Sequence, residues 1–486
     1  MIIHDVIKDK KLGYLVLGFT LLYALISLVN HYLFKTYALD LGVYTNALWD
    51  YRHLQFNDSL SFKSEAENLL ADHFDLYLII ISPLSFLFGS YTLLLLQLVG
   101  IIYGGIGVYT YFQFNGNKTL AIYASAFFYS FFGVFAAVAF DYHSNVIAAC
   151  LLPWLFLSVS KNQLKQTLLF FVLMIIAKEN ISLWLVFICL GLMLEYRKDK
   201  PRVLMLVILA LFAFVYFIVV ISFLMPLFSN KSQYNHFDYS VLGQGIKEAL
   251  FTLILHPLHS IETMFINHTN KPQYDYVKLE FIAFILLSGL VFLIKKPNYL
   301  IMTIPLFLQK FFNDNPNKWG IIGQYSIEFA PILAIGIFSF LSTLVSKSQS
   351  IVYSRVILIS AIIVTLRTMD STLTWTQKDK IRFYQPQHYS KQYDVVKAHE
   401  SLNIIPNTAK VSAQSPFLPH LALRDKVYQF PMIKDAEYIV FSPLENEYPM
   451  TRTSFLELTQ TLLDSNEFVV VQTKPIVILR REKSHH

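Results

Sequence analysis

The chain has 486 residues, of which 55% are hydrophobic and only 15% charged. A soluble chain of this length needs about 25% charge to cover its surface, so the composition excludes an ordinary soluble enzyme and points to a membrane protein. The net charge of +6 is no sign of nucleic-acid binding, because the basic residues are spread among short loops, and Cys150 and Cys189 lie in separate apolar runs without metal-ligand spacing.

The first apolar run, 12–34, is long enough to cross a hydrocarbon core of about 30 Å. Lys8, Lys10 and Lys11 precede it, and it lacks the short core and small-residue cleavage site of a signal peptide, so it reads as an uncleaved span. An external loop is expected at 35–75. The stretch 74–88 is apolar but short and interrupted by Pro83, which suits an interfacial helix lying on the outer face. Further spans are expected at 90–113, 118–140, 145–160, 203–228, 280–294, 298–312, 327–345 and 351–367.

Residues 166–196 are apolar on both sides of Lys178-Glu179-Asn180. As a single helix they would hold two ionisable side chains near mid-bilayer, each costing about 2.5–3.5 kcal/mol. Lys161 and Lys165 flank one end, and Arg197, Lys198, Lys200 and Arg202 the other. Both ends therefore favour the cytoplasm, and the segment reads as a hairpin with the polar triplet recessed in a cavity. About eleven spans result, with the N-terminus cytoplasmic and everything after residue 367 on the outer face. The outer side also receives loops at 229–279, partly amphipathic, and 313–326.

From 368 to 486 the charge rises and apolar runs shorten to strand length, at 409–414, 426–430, 437–442, 468–472 and 476–481. Helical patterns at 390–403 and 452–465 separate them, so a small extracytoplasmic α/β domain is expected after a membrane domain of residues 1–367. It has no glycine-rich phosphate loop and no evident catalytic pair, which suits an acceptor-binding or stabilising appendage. The final Ser484-His485-His486 is given no role.

Four polar groups fall on the expected outer face. Asp40, just past the first span, reads either as a general base or as the N-cap of the helix after it. Asp72-His73-Phe74-Asp75 suits a divalent cation, a phosphate or a capped helix start. Asp141-Tyr142-His143 joins two spans with almost no loop, which calls for partners, a water-filled cavity or a capping turn. Lys178-Glu179 is either a cationic site for a phosphate arriving from the lipid side or an internal ion pair.

In order, DLGVYTNALW, DHF, FDYH, KEN, QYS before a span, and IPNTAKVSAQSPFLPHLALRDKVYQFP resemble a family of bacterial and archaeal membrane proteins known as domain of unknown function 2079. That family is similar to the GT-C glycosyltransferases. The resemblance implies a GT-C-like polytopic fold in a bacterial cytoplasmic (inner) membrane and a polyprenyl-phosphate-linked sugar as donor. It implies Asp40 as catalytic base and inversion at the sugar. His73, Asp75, Asp141, His143, Lys178, Glu179 and Tyr325 would serve the donor phosphate or substrate, and a divalent ion (Mg or Mn) would sit on Asp40, Asp75, Asp141 or His143. The chain departs from the family pattern at Asp75-Leu76, at Asn180, where an acid is usual, and at Gln324, where a histidine is common. A non-catalytic lipid-binding scaffold or an envelope transporter is the competing class.

Overall fold

The computed structural model describes residues 9–374 and 377–482; Lys8 and Ser484-His485-His486 lie outside them. Helix α1 (Lys10–Tyr32) begins where Asp9 accepts the backbone N–H groups of Lys11 and Leu12, donors that the first turn leaves unpaired. After a second short helix, α2 (Val43–Arg52), comes a continuous helical run of 38 residues, Tyr77–Phe114. That is nearly twice the ~20 residues a crossing needs. The stretch expected as a separate surface helix is thus joined to the next span, α3 (Thr92–Phe114), through Gly89 at φ +55°. Ile80, Phe86 and Leu87 on its first part remain exposed.

Helices α4 (Lys118–Ser130) and α5 (Phe132–Ala139) meet at a 43° bend at Phe131, whose backbone is extended, in a broken span or a re-entrant pair. Helix α6 (Ser144–Ser160) packs closely on α3, because Gly104 leaves no room for a side chain: a Cβ there would lie 2.9 Å from that of Cys150. Helices α7 (Leu164–Ile175) and α8 (Glu179–Glu195) are separate, with Lys178 extended between them. Tyr196, just past α8, is hydrogen-bonded to Ser160, just before α7, so this segment enters and leaves at the same end of the bundle.

Helix α9 (Lys200–Val219) continues helically to Phe228. The apolar run 280–294 is not one helix. Helix α10 (Val277–Leu287) stops at Gly289, which at φ +101° takes the left-handed conformation that ends helices, and a tighter turn, Leu290–Lys295, follows. Helices α11 (Pro297–Phe311), α12 (Phe329–Leu341) and α13 (Lys347–Asp370) complete the bundle. Among the described residues four helices are long and apolar enough to cross a membrane, or five if the bent α4–α5 pair is one span.

The remaining chain folds around a five-stranded sheet of β1 (Val411–Ala413), β2 (Val427–Gln429), β3 (Tyr438–Phe441), β4 (Phe468–Gln472) and β5 (Val477–Arg481), in the order β2-β1-β3-β5-β4. β1 is parallel to β2 and β3, with Val411 opposite both Val427 and Tyr438; β5 is antiparallel to β3 and β4. One face of the sheet shares its core with the residues just after α1: Phe34 and Ala38 are buried with Phe417, Leu418 and Val440. The edge strand β2 is covered by the early loop, since Gln429 N–H donates to the Ser61 carbonyl at 2.8 Å and Lys426 pairs with Asp58 at 2.5 Å.

Gly133 in α5 carries the loop before α12 so closely that a Cβ would lie 2.4 Å from the Ser326 carbonyl oxygen. Because the obstacle is backbone, Gly133→Ala is expected to lose about 1–3 kcal/mol of stability. The check is a lower thermal unfolding midpoint in detergent than the parent chain.

Candidate functional site

Past α1 the chain makes a tight turn over Ala38–Gly42, and Asp40 within it has φ +69° and ψ −89°. This left-handed geometry is rare for a residue with a Cβ and costs about 1–3 kcal/mol. The surroundings impose it. Tyr37 N–H donates to Asp141 Oδ2 (3.1 Å), Ala38 N–H donates to Ser415 Oγ (3.1 Å), and Gly42 N–H donates to the Tyr37 carbonyl (3.1 Å). Gly42 also lies under Leu418, where a Cβ would come within 2.5 Å of the leucine Cδ2. Helix α2 takes no side-chain cap, so Asp40 is not its N-cap.

Asp40 Oδ1 instead faces His143 Nε2 at 3.3 Å. Burial pushes the Asp40 carboxyl up, but His143, with His73 and Lys178 behind it, more than offsets this and holds it below the usual carboxylate range. His143 is fixed from behind by its own N–H, which donates to Gln97 Oε1 (2.9 Å), and by stacking on Phe140. Its Nδ1 is buried without a hydrogen-bond partner among the described residues.

The other expected residues gather at this end of the bundle in two further groups. Asp141 is buried with Lys380, whose Nζ lies 3.7 Å from its Oδ1; burial raises the Asp141 carboxyl and Lys380 opposes the rise. In the second group His73 bridges Glu179 (Nδ1 to Oε1, 3.3 Å) and Lys178 (Nε2 to Nζ, 3.2 Å). Asp75 accepts from Tyr77 N–H at the start of the 38-residue run (2.9 Å) and from the Tyr142 hydroxyl (3.5 Å), so it fills the capping role. Its burial pushes it up to about 7, against hydrogen bonds from Ser144 and Tyr77. Tyr325 is close enough to Asp40 for the carboxylate to help raise its phenol, after burial, which is the larger cause.

Asp40, Asp75, Asp141 and His143 are not grouped at metal-ligand spacing: Asp40 and His143 face one another, while Asp141 is held by Lys380 and Asp75 by Tyr77 and Tyr142. Among the described residues the group with metal-ligand spacing is Asp72, His73 and His236, whose ligating atoms lie within 4.8 Å of one another. His236 Nε2 stands 3.3 Å from Asp72 Oδ1, and its ring stacks on that of His73. Two imidazoles and one carboxylate suit manganese or zinc better than magnesium, which prefers oxygen ligands. Lys178, on His73, would repel a cation there. His236 escaped the sequence reading, although it repeats the His-Phe-Asp triplet of residues 73–75 at 236–238.

Two cavities lie at this end of the bundle, and Asp40 lines the second. One is lined by Lys178, Lys310 and Lys318, with Asn180, Tyr325 and Glu328: three lysines against one carboxylate. The other, of about 360 Å³, lies between Asp40 and the sheet-bearing part of the chain and includes Lys380, Ser415, Asn446 and Tyr448. The turn 140–145 and the loop 322–325 contribute to both. Lys310, Lys318 and Lys380 were not singled out in the sequence. Lys310 is buried in α11, where it donates to the Gly320 carbonyl (2.6 Å) and to Ser326 Oγ (3.2 Å), and so holds the loop that carries Tyr325.

Apolar helices crossing-length or shorter, closed at one end by a buried polar cluster, define a helical membrane protein. Residues 30–467 match the family described as "Predicted membrane protein (DUF2079)", and the chain belongs to that family. No match is found among curated proteins. Among solved structures, the chain is similar to an oligosaccharyltransferase of Archaeoglobus fulgidus in the apo form, at 11% identity over 88% of this chain and 70% of that one, with a TM-score of 0.45. It is also similar to ArnT of Cupriavidus metallidurans bound to undecaprenyl phosphate, at 11% identity over 96% of this chain and 98% of that one, with a TM-score of 0.47.

The raised carboxyl of Asp75 has a consequence for stability. The folded chain keeps the Asp75 proton up to about pH 7, whereas the unfolded chain releases it near 3.8. The folded state therefore binds more protons between those values, and this contribution to stability is full below pH 3.8 and lost as pH rises through 7. Asp75→Asn is expected to flatten the decline in thermal midpoint between pH 5 and pH 8, measured on protein in detergent.

Proposed function

We propose that the protein is a membrane glycosyltransferase that moves a sugar from a polyprenyl-phosphate donor to an acceptor on the outer face of a bacterial cytoplasmic membrane. The observation that carries this reading is Asp40. It is a carboxylate held in a strained turn, paired with an imidazole, lining the larger cavity and within electrostatic reach of Lys178, which lines the other. In this reading residues 1–367 form the membrane domain, with about eleven crossings once short helices and hairpins are counted. Residues 368–486 form the outer domain, and the N-terminus is cytoplasmic.

The donor phosphate sits among Lys178, Lys318 and His73, with its lipid tail between helices. Asp40 takes the proton of the acceptor hydroxyl as that oxygen attacks the anomeric carbon. The bond from that carbon to the phosphate oxygen breaks with its electron pair on the polyprenyl phosphate, and the configuration inverts. The leaving phosphate needs no proton, so the site needs cations rather than a general acid. His143 holds Asp40 in position and favours its ionised form, the one that can accept a proton. A divalent ion on Asp72, His73 and His236 would require Lys178 to leave His73, and would then add positive charge near the phosphate.

Asp40→Asn keeps the shape and removes the base, so turnover is expected to fall by about 10²–10⁴-fold. Native mass spectrometry and lipid extraction of both purified forms give the check. The sugar-linked polyprenyl phosphate should accumulate on Asp40→Asn relative to the parent. Bulk phospholipid alone on both would sink the transferase reading in favour of a scaffold or transporter.

Lys178→Met should separate donor binding from chemistry. Removal of one phosphate-facing cation is expected to lower retention of the lipid by about tenfold, a loss of about 1.4 kcal/mol. Equal retention in Lys178→Met and the parent would remove this lysine from the donor site.

A further inference from the structure

We infer that the 360 Å³ chamber beside Asp40 binds an uncharged saccharide, which on the transferase reading is the acceptor. Tyr37, Phe140 and Tyr448 stand in its wall with Ser415 and Asn446; Lys380 lies over the first two rings and Phe140 stacks on His143, so Tyr448 at the rim is the ring with most face to offer. A pyranose offers the matching chemistry: an apolar face of C–H bonds that lies on a ring, and a belt of hydroxyls that both donate and accept. The volume falls within the range of about 300–1,000 Å³ typical of small-molecule sites.

The polar groups are partly committed in a way that leaves donors for a ligand. Ser415 Oγ already accepts from Ala38 N–H, so its own hydroxyl hydrogen is available to donate. Asn446 Oδ1 accepts from Tyr448 N–H (2.9 Å), which leaves the amide N–H pair for a sugar oxygen. Tyr448 is 55% exposed at the rim, where a ring can close over a bound sugar.

Charge sets the class. Of the charged side chains in the wall, Asp141 and Lys380 compensate one another at 3.7 Å and Asp40 is paired with His143 at 3.3 Å, so no cation is left over to hold an anionic ligand. An anionic acceptor finds no counter-charge in this chamber, whereas the neighbouring cavity with its three lysines attracts anions. The two cavities thus suit different molecules, a phosphate-bearing one at the lysines and an uncharged one beside Asp40. An extended peptide finds no free strand at β2, whose outer edge is already bonded to Ser61.

The test uses the full-length protein in nanodiscs and saturation-transfer difference NMR. The probes are the methyl pyranosides of glucose, galactose, mannose and N-acetylglucosamine, with methyl glucuronide and a capped neutral serine peptide in separate samples. At least one neutral glycoside is expected to bind, to weaken by about tenfold in Tyr448→Ala and in Asn446→Leu, and to hold its affinity in Lys178→Met. The inference is overturned if no neutral glycoside binds, if the glucuronide or the peptide binds more tightly, or if glycoside binding survives both chamber substitutions. Binding is read without turnover, so the two proposals fail separately. Glycoside binding with no sugar-linked lipid on Asp40→Asn would keep the saccharide site and remove the transferase reading.

Discussion

The polar end of the bundle depends on charge compensation where water is scarce. Asp40 faces His143, Asp141 faces Lys380, Glu179 faces His73, and Asp72 faces His236, each within 3.7 Å. Asp141 and Lys380 are buried on both sides, and loss of one partner of such a pair typically costs about 3–5 kcal/mol; the other three pairs are partly open to solvent on at least one side and are worth less. These contacts therefore serve the fold as well as any chemistry. The pairing also explains why so many ionisable groups can crowd together without forcing the helices apart.

The same cluster joins parts of the chain that are distant in sequence. Lys380 and Ser415 come from beyond the last long helix, yet one neutralises Asp141 and the other receives the Ala38 N–H beside Asp40. Asn46 in α2 donates to the carbonyls of Ala422 and Arg424, and Asn30 in α1 donates to that of Lys380. The strained turn at Asp40 is thus clamped from two sides, by the bundle through Asp141 and by the sheet-bearing part through Ser415 and Leu418. Strain persists where neighbours over-determine it, and here the neighbours are more than 100 residues away in both cases.

Local chemistry made much of this legible in the sequence. Apolar length marked α1 and α13, and the Lys178 triplet with its basic flanks marked the turn between α7 and α8. Short runs rich in valine and isoleucine marked the strands. The break at Gly289 was hidden, because a glycine inside an apolar run costs a helix only about 1 kcal/mol and does not by itself decide its end. The pairing of Asp141 with Lys380 was also hidden, since 239 positions that carry no common motif separate the two. The metal-spaced trio went unseen for a related reason: Asp72 and His73 are adjacent, but His236 comes from a long loop whose path the sequence does not give. Asp40 stood out by position, while its left-handed backbone, which no glycine or asparagine announces, did not.

The covered edge of β2 bears on how the chain is made. Ser61 and Asp58, which shield that edge, are synthesised some 360 residues before Lys426 and Gln429, which need the shield. An unpaired strand edge is a template for aggregation during the interval in which it waits for a partner. In this chain the waiting falls to the loop, which has no edge to expose, and the vulnerable strand emerges after it, into a cover already in place. A nascent chain whose first loop is on the wrong side of the bilayer would leave β2 bare, so misinsertion early in synthesis becomes a sticky, recognisable defect at its end.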